Sequence, residues 1–221
     1  MHTIALPESA VERGRMMGLD KPIDPATTAV VTVDFQNFFV ADGEPMGTAN
    51  ARDALAGANR INAAARAAGA LVVIVQHSFG PSGEVAPSEP LAEQALLPGS
   101  ASYELHPDLV VEPDDLRIVK RRSSPLHPEA DTDLLRVLRE RGVETLIVTG
   151  VASNGCCDCL ARDAYQHGFN VVFVSDATAA MSDDEHNATL LNLAVYYANV
   201  LDTASVEAAL GKADGSKGGA A

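Results

Sequence analysis

The sequence predicts a single-domain α/β fold: a doubly wound, mostly parallel six-stranded sheet with helices on both faces. Apolar runs rich in β-branched residues alternate along the chain with segments of helical spacing, an order that is typical of this fold. The runs contain few polar residues, which indicates strands covered on both faces. A chain of 221 residues, 47% of them hydrophobic, is long enough to fill one sizeable core.

The first half of the chain supplies three predicted strands. TTAVVTVDF at 27–35 and LVVIVQ at 71–76 are continuous apolar runs, and LRIVK at 116–120 follows after a long gap. A helix is predicted over 50–68, and Gly69 marks its end. The apolar residues that recur in this helix at near-helical spacing are Leu55, Ala58, Ile61 and Ala65.

The second half of the chain continues the alternation. VETLIVTG at 143–150 and NVVFVSDA at 170–177 are predicted as the fourth and fifth strands, and NVLDT at 199–203 as a short sixth. Ser182 and Glu185 have the spacing of a capping box, which opens a helix. The helices of this half are predicted at 132–141, 155–167 and 182–198.

Four regions follow from this pattern. The domain proper is predicted at 27–210, preceded by a polar and irregular arm at 1–26 that lies on the domain or on a neighbouring subunit. The stretch 77–115 holds six of the twelve prolines and is predicted as a long excursion with one short helix. The small, polar residues of 211–221 predict a flexible tail.

Charge and cysteine usage narrow the class of protein. A net charge of −14 at pH 7 disfavours binding to nucleic acid and to anionic membranes, and leaves a small molecule as the expected partner. No run has the length of a membrane span, and the first residues do not have the pattern of a secretory signal. The three cysteines lie within four residues and cannot tie distant segments together, so we expect a reducing, cytoplasmic compartment.

Three reactive side chains stand at the predicted carboxyl ends of strands. Asp34 ends the first strand, Lys120 ends the third, and Cys156 opens a helix after the fourth. The start of a helix offers unpaired N–H groups and a positive dipole end, which favour a thiolate and an oxyanion. Ligands of doubly wound sheets bind at this edge, so a thiol, a proton acceptor and a cation are predicted to meet there.

Four motifs in this order carry a resemblance to a known family. VVTVDFQN, LRIVKRRSS, VTGVASNGC and VFVSDATAA together resemble the isochorismatase-like cysteine hydrolases, which include nicotinamidases, N-carbamoylsarcosine amidohydrolases and ureidoacrylate amidases. The resemblance covers roughly 27–208. It implies that Asp34 is the catalytic aspartate, Lys120 the catalytic lysine and Cys156 the nucleophile.

The resemblance also implies the backbone around the nucleophile and the walls of the pocket. A cis peptide is expected between Val151 and Ala152, so that the N–H groups of Ala152 and Cys156 face the oxyanion. The candidates for substrate binding are Gln36, Phe39, His77 and Arg122. On an extended strand, Arg122 would return to the side of Lys120.

No metal and no cofactor are expected. Nicotinamidases of this family hold a metal through an aspartate and several histidines near the end of the second strand. This chain has VQHSFG there, with His77 alone, which disfavours nicotinamidase activity.

We therefore expect a metal-independent cysteine hydrolase that cleaves a C–N bond of a small amide, carbamoyl or ureido compound through a thioester. One alternative is a vinyl-ether hydrolase of the isochorismatase type, with Asp34 as general acid. A second is a thiol redox protein, because Cys156 and Cys159 form a CxxC pair, and a third is a non-catalytic member. Cys157 and Cys159 are expected to serve packing, and His186 to brace the last helix.

We also expect a homo-oligomer, a dimer or a tetramer. The arm at 1–26 and the long excursion need surfaces on which to rest.

Overall fold

The six predicted strands form one sheet in the order β3-β2-β1-β4-β5-β6, and every neighbouring pair is parallel. The computed structural model describes residues 1–78 and 96–212. The strands are β1 Thr28–Val33, β2 Leu71–His77, β3 Leu116–Lys120, β4 Thr145–Val151, β5 Asn170–Ala179 and β6 Asn199–Leu201. The predicted fold class is therefore confirmed.

Seven α-helices accompany the sheet in the described residues. They are α1 Glu8–Met16, α2 Asn37–Val40, α3 Ala49–Ala67, α4 Leu134–Glu140, α5 Asp158–Gln166, α6 Asp183–Tyr196 and α7 Thr203–Gly211. A 3-10 turn at Pro25–Thr27 precedes β1, and a π-helical turn at Ser153–Cys157 follows β4. Of the helices in 1–78 and 96–212, none combines the length and the apolar character needed to cross a bilayer.

Both faces of the sheet are covered, as the uninterrupted apolar strands predict. All six residues of β1 are buried, and successive side chains point to opposite faces. Val31 and Val33 pack in the core that contains the leucines of α4, α5 and α6, whereas Val30 packs in the core beneath α3 and α7. The two cores cover both faces of the sheet, so a binding site is expected at the carboxyl edge rather than on a face.

The strand order reverses between β1 and β4. From β1 the chain runs outward through β2 and β3, and then returns to β4 on the other side of β1 and continues through β5 to β6. Such a reversal opens a crevice at the carboxyl ends of the two central strands, because their crossovers leave toward opposite faces. Asp34 and the turn that carries Cys156 both follow these central strands.

Three helices arise where the sequence predicted none, and one of them is the single turn α2, directly after Gln36. The arm at 1–26, predicted as irregular, contains α1, which packs against α6, with Gly14 closely facing Ala194. Beyond β6, Asp202 caps α7 by accepting a hydrogen bond from the N–H of Ser205, a helix-start signal that the sequence analysis did not use.

The last helix also shortens the predicted tail. Gly211 is the last residue of α7, so this helix extends to the first residue of the predicted tail. Residues 213–221, the remainder of that predicted tail, lie outside the described residues.

Part of the long excursion lies across the carboxyl edge of the sheet. Residues 79–95 lie outside the described residues, while 96–115 consist of turns, bends and one bridge. Leu105 forms that antiparallel bridge with Gln36, and the N–H of His106 donates to the carbonyl of Phe35 at 2.8 Å. The excursion is thereby fixed to the chain directly after β1.

Gly150 is the residue that allows β1 and β4 to approach at the site. It pairs with Val33, has φ of +126°, and a Cβ there would lie 2.1 Å from the carbonyl oxygen of Val33. We expect Gly150→Ala to lower the free energy of unfolding by about 3 kcal/mol or more, because a forbidden backbone angle is added to a clash with backbone. Equilibrium urea unfolding measures this loss.

Gly142→Ala is the matched control for that measurement. Gly142 also has a positive φ, +66°, but a Cβ there has no heavy atom within 4 Å. Only backbone strain is introduced, and the expected loss is about 1–2 kcal/mol. Equal losses in the two variants would contradict the view that the contact with Val33 excludes a side chain.

Candidate active site

The three reactive side chains predicted from the sequence meet at the carboxyl edge of the sheet. Asp34 follows β1, Lys120 is the last residue of β3, and Cys156 lies in the turn after β4. β3 and β1 are separated by β2. The long side chain of Lys120 bridges that separation, because its Nζ lies 2.8 Å from Asp34 Oδ2 and 3.3 Å from Cys156 Sγ.

Asp34 reaches the site through an unusual backbone conformation. It has φ of 54°, and its N–H donates to the carbonyl of Val75 at 2.9 Å. Asp is among the few non-glycine residues that tolerate the left-handed region. The carboxylate is completely buried. A strained, buried residue at a strand end is a common mark of a functional position.

The ammonium of Lys120 has three acceptors around it. Besides Asp34 and Cys156, the Nδ1 atom of His77 lies 2.9 Å from Lys120 Nζ. An ammonium carries three N–H donors and no acceptor, so it can donate to His77 and Cys156 while it forms an ion pair with Asp34. Lys120 is completely buried, and the carboxylate of Asp34 balances its charge.

His77 is neutral in this environment. Burial, together with the charge of Lys120, lowers the pKa of His77 to about 2. Because an ammonium can only donate, Nδ1 of His77 must accept, and the ring proton resides on Nε2. The imidazole therefore orients Lys120 without adding charge.

Gln36 holds the backbone of His77 in place. Its Oε1 accepts from the N–H of His77 at 2.7 Å, and its Nε2 donates to the carbonyls of His77 at 3.0 Å and of Tyr103 at 2.8 Å. The side chain is completely buried. Both N–H groups of the amide are thus used by backbone, and these contacts favour a structural role over the predicted contact with substrate.

The turn that carries Cys156 is closed around one carbonyl oxygen. The peptide bond between Val151 and Ala152 is cis, and the N–H groups of Gly155 and Cys157 both donate to the carbonyl of Ala152, at 3.0 and 3.1 Å. Gly155 breaks the helical path with φ −125° and ψ −110°, and the regular helix α5 begins at Asp158 rather than at the predicted residue 155.

The two further cysteines differ in their surroundings. Cys157 is buried in the core between the sheet and α5, as predicted for a packing residue. Cys159 is partly exposed, and all three cysteines are free thiols.

Burial dominates the electrostatics of the site. It raises the pKa of the Cys156 thiol well above the ordinary value of 9.0, since the attraction of Lys120 is opposed by the charge of Asp34. Burial likewise raises the pKa of Asp34 from 3.8, against the influence of Lys120. For Lys120, burial lowers the pKa, but Asp34 and Cys156 outweigh it and leave the pKa raised.

The surroundings of Cys156 oppose one expectation from the sequence. The helix start predicts a thiol biased toward thiolate, whereas burial raises the pKa of the Cys156 thiol and favours the protonated form. Asp34 Oδ2 and Cys156 Sγ share Lys120 as a neighbour, so a proton acceptor stands beside the thiol.

One group of potential metal ligands coincides with this site. Among the described residues, ligand atoms of Asp34, His77 and Cys156 lie within 4.8 Å of one another. Lys120 Nζ lies within hydrogen-bonding distance of an atom of each. The donor set therefore already surrounds a cation, the lysine ammonium, and fits a metal poorly while Lys120 is in place.

The two remaining substrate-binding candidates are Phe39, which lies beside the turn, and Arg122, which lies away from it. Phe39, on α2, lines a small cavity of about 10 Å³ together with Val151 and Ala152. Arg122 lies beyond the end of β3, and its guanidinium pairs with Glu129 at 2.9 Å. The alternation argument therefore does not extend to Arg122, and its side chain is directed to a surface partner.

Ser153 is a site residue that the sequence analysis missed. It is completely buried within the turn, and its Oγ lies 2.7 Å from Nδ1 of His186 on α6. His186 was expected to brace the last helix, but its partner could not be read from sequence because the two residues are 33 positions apart.

Known proteins share this fold and this sequence pattern. The ureidoacrylate amidohydrolase RutB of Methylobacterium radiotolerans is 33% identical over 213 residues, covering 86% of this chain and 81% of that protein. The crystal structure of a cysteine hydrolase from Pseudomonas syringae pv. phaseolicola 1448A matches with a TM-score of 0.81 at 29% identity, over 87% of this chain and 96% of that chain.

A third protein is similar in fold alone. N-carbamoylsarcosine amidase from Thermoplasma acidophilum has a TM-score of 0.66 and 23% identity, over 80% of this chain and 96% of that chain. The isochorismatase domain family matches residues 28–205, which include every strand of the sheet. The chain therefore belongs to the isochorismatase domain family.

Proposed function

We propose that the protein is a cysteine hydrolase that cleaves a C–N bond of a small amide, carbamoyl or ureido compound. The observation that carries the proposal is the contact of one buried ammonium, Lys120 Nζ, with both Asp34 Oδ2 and Cys156 Sγ. A nucleophile, a proton acceptor and a cation within reach of each other are the parts that acyl transfer requires. The relative RutB is named a ureidoacrylate amidohydrolase, and the protein of similar structure is named a cysteine hydrolase.

In the first step the thiol of Cys156 loses its proton to Asp34 as sulfur attacks the substrate carbonyl. The raised pKa of the Asp34 carboxyl makes its carboxylate a stronger proton acceptor than an ordinary carboxylate. Lys120 stabilises the thiolate as it forms, because its ammonium donates toward the sulfur. No metal is needed for this step.

In the second step the C–N bond breaks and the nitrogen departs with the proton that Asp34 holds. An acyl thioester on Cys156 remains. Water then adds to the thioester carbonyl and gives a proton to Asp34. Sulfur leaves and takes that proton from Asp34, which restores the free thiol and the carboxylate. The acid product carries the oxygen of that water, so atoms and protons balance over one turnover.

The oxyanion formed in both steps is proposed to rest on the N–H groups of Ala152 and Cys156. The carbonyl of Ala152 is already satisfied by the N–H groups of Gly155 and Cys157, which fixes the turn before substrate arrives. A preorganised turn loses little free energy to rearrangement when charge develops on the substrate.

The small cavity beside the turn has a mainly apolar lining. Phe39, Val151 and Ala152 line it, together with Met46 and Ala179. We therefore assign Phe39 to substrate binding, and we assign Gln36 and His77 to positioning Lys120.

Vinyl-ether hydrolysis of an isochorismate-like compound is the second candidate. The raised pKa of Asp34 favours it, because a carboxyl that retains its proton could act as a general acid. That reaction has no use for a thiol, whereas Cys156 lies 3.3 Å from Lys120. Loss of activity in Cys156→Ala would therefore separate the two reactions.

We propose that the protein acts in the cytoplasm as a dimer or tetramer. The three free thiols favour a reducing compartment. Met17 and Tyr165 line one surface cavity, and Tyr165 contacts Tyr197, so exposed apolar side chains are contiguous there. Light scattering after size-exclusion chromatography should give a mass of two or four times 23.1 kDa, and a mass of one chain would contradict the assembly.

Cys156→Ala should abolish turnover without unfolding the protein. We expect kcat for ammonia release to fall by about 10³-fold or more, because no other group can form the thioester. The assay is a screen over ureido acids, carbamoyl acids and simple amides, with the unmodified protein measured beside the variant. Circular dichroism checks that the fold is kept.

Cys159→Ala is the matched control for the thiol. Cys159 is partly exposed on α5 and has no contact with Lys120 among the described hydrogen bonds. Its removal should leave kcat within about twofold of the unmodified protein. Full activity in Cys156→Ala would refute the hydrolase, whereas loss of activity in Cys159→Ala would favour thiol redox chemistry.

The pH profile should report the raised pKa of Asp34. The proposed first step needs the carboxylate, so kcat/KM should fall as the pH drops through the pKa of Asp34 in the folded protein. Because burial raises that pKa, the acid limb should lie above the ordinary value of 3.8. His77, with a pKa of about 2, is neutral throughout this range and does not produce the limb.

Measured kcat/KM across the acid range, at constant ionic strength, tests this expectation. In Asp34→Asn the residual activity should lose the limb, because the titrating carboxyl is gone. An acid limb at or below 3.8, or an unchanged limb in Asp34→Asn, would contradict the role of Asp34 as proton acceptor.

A further inference from the structure

Two stacked histidines lie directly behind the turn that carries Cys156. The rings of His2 and His186 are parallel to within 9°, with their centroids 4.2 Å apart. Neither ring is needed for the chemistry proposed above, yet His186 is completely buried and His2 is 8% exposed. Buried, hydrogen-bonded histidines outside the reacting groups call for a physical role.

His186 connects the turn to two elements of the fold. Its Nε2 lies 2.8 Å from the carbonyl of Ser175 on β5, and its Nδ1 lies 2.7 Å from Oγ of Ser153. A carbonyl only accepts, so Nε2 of His186 carries the proton and Nδ1 accepts from the hydroxyl of Ser153. Burial lowers the pKa of His186 to about 4, which keeps this neutral form in place near neutral pH.

His2 fixes the neighbouring strand end. Its Nε2 accepts from the N–H of Ala180 at 3.1 Å, and its Nδ1 therefore carries the proton that faces Asp183 Oδ1 at 2.7 Å. Ala180 directly follows Ala179, which pairs with Val151 at the end of β4. His2 thus holds the strand against which the nucleophile turn begins.

The segment that carries His2 is bound along α6. The N–H of Thr3 donates to Asp183 Oδ2 at 3.4 Å, and the N–H of Ala5 donates to Asn187 Oδ1 at 2.7 Å. Asn187 Nδ2 in turn donates to the carbonyl of Thr3 at 2.9 Å. These contacts are independent of the side chain of His2, so substitution of His2 need not detach the segment.

We propose that Ser153, His186 and His2 are positioning residues for the nucleophile turn. Ser153 lies between Ala152 and Cys156, whose N–H groups are the proposed oxyanion donors, and its hydroxyl ties the turn to α6 and β5 through His186. The inference rests on the proposed role of Cys156. It adds that residues 1–5, remote in sequence, set the geometry of the reacting groups.

The bonds within the turn do not fix its place relative to the sheet. Gly155 and Cys157 donate to Ala152, so these contacts move with the turn. The side chain of Ser153 is anchored outside it. A displacement of about 1 Å in a reacting group costs up to about 10²-fold in rate, so a loosened anchor should be visible in kcat.

The test compares Ser153→Ala and His2→Ala with the unmodified protein. We expect kcat for ammonia release to fall about tenfold in each, while KM changes less than about twofold, because the substrate contacts stay in place. Alkylation of Cys156 by iodoacetamide, followed by mass spectrometry of the intact protein, should slow by about threefold or more. Every protein in this alkylation experiment also carries Cys157→Ala and Cys159→Ala, so that the mass increase reports Cys156 alone.

Thr3→Ala is the control for the segment. Thr3 bonds through its backbone, so its substitution should leave kcat and alkylation within about twofold of the unmodified protein. A role in stability alone would lower the urea midpoint of Ser153→Ala and His2→Ala and leave kcat and the alkylation rate unchanged. That pattern would overturn the proposal.

Two further variants keep the test decisive if a truncation unfolds the protein. His2→Phe and His186→Phe retain an aromatic ring for the stack and remove the hydrogen bonds, and the losses in kcat should match those of the truncations. His186→Phe combined with Ser153→Ala should be no slower than His186→Phe alone, because the histidine substitution already removes the bond to Ser153. Additive losses would overturn a shared anchor.

The two readouts also separate this inference from the proposed function. If the unmodified protein releases no ammonia from any compound while alkylation of Cys156 still slows in Ser153→Ala, the hydrolase fails and the positioning role stands. If ammonia release depends on Cys156 but neither kcat nor alkylation responds to Ser153 or His2, the positioning role fails alone.

Discussion

The ammonium of Lys120 lies in the interior of the protein, and the carboxyl edge of the sheet is arranged to supply its partners. Asp34, His77 and Cys156 come from three different elements and each places one acceptor near Nζ. A buried charge without such partners would cost several kcal/mol. The fold brings these three elements together around Lys120. Because Asp34 and Cys156 both contact Lys120, the thiol also lies beside a proton acceptor.

Further hydrogen bonds hold the residues that contact Lys120 and the turn that carries Cys156. Gln36 holds the backbone of His77, and His77 in turn accepts from Lys120. Behind Cys156, Ser153 leads through His186 to β5. Buried hydrogen bonds thus support Lys120 from one side and the turn that carries Cys156 from the other, and such bonds rigidify a site. This support is consistent with a site that is ready before substrate binds.

Burial and charge act in opposite directions at the thiol, and their balance decides its resting state. The start of a helix and a nearby ammonium favour a thiolate, but burial and the carboxylate of Asp34 favour the protonated thiol. The protonated state suits a mechanism in which the proton leaves during attack.

The sequence by itself determined the fold class, the succession of strands and helices along the chain and the three residues of the candidate site. Apolar period and strand-end position are local signals, so Asp34, Lys120 and Cys156 could be found without coordinates. Tertiary structure decided that Gln36 holds backbone, that Arg122 pairs with Glu129, and that Ser153 meets His186. Those contacts join residues distant in sequence, or depend on where a strand ends, and no local pattern encodes either.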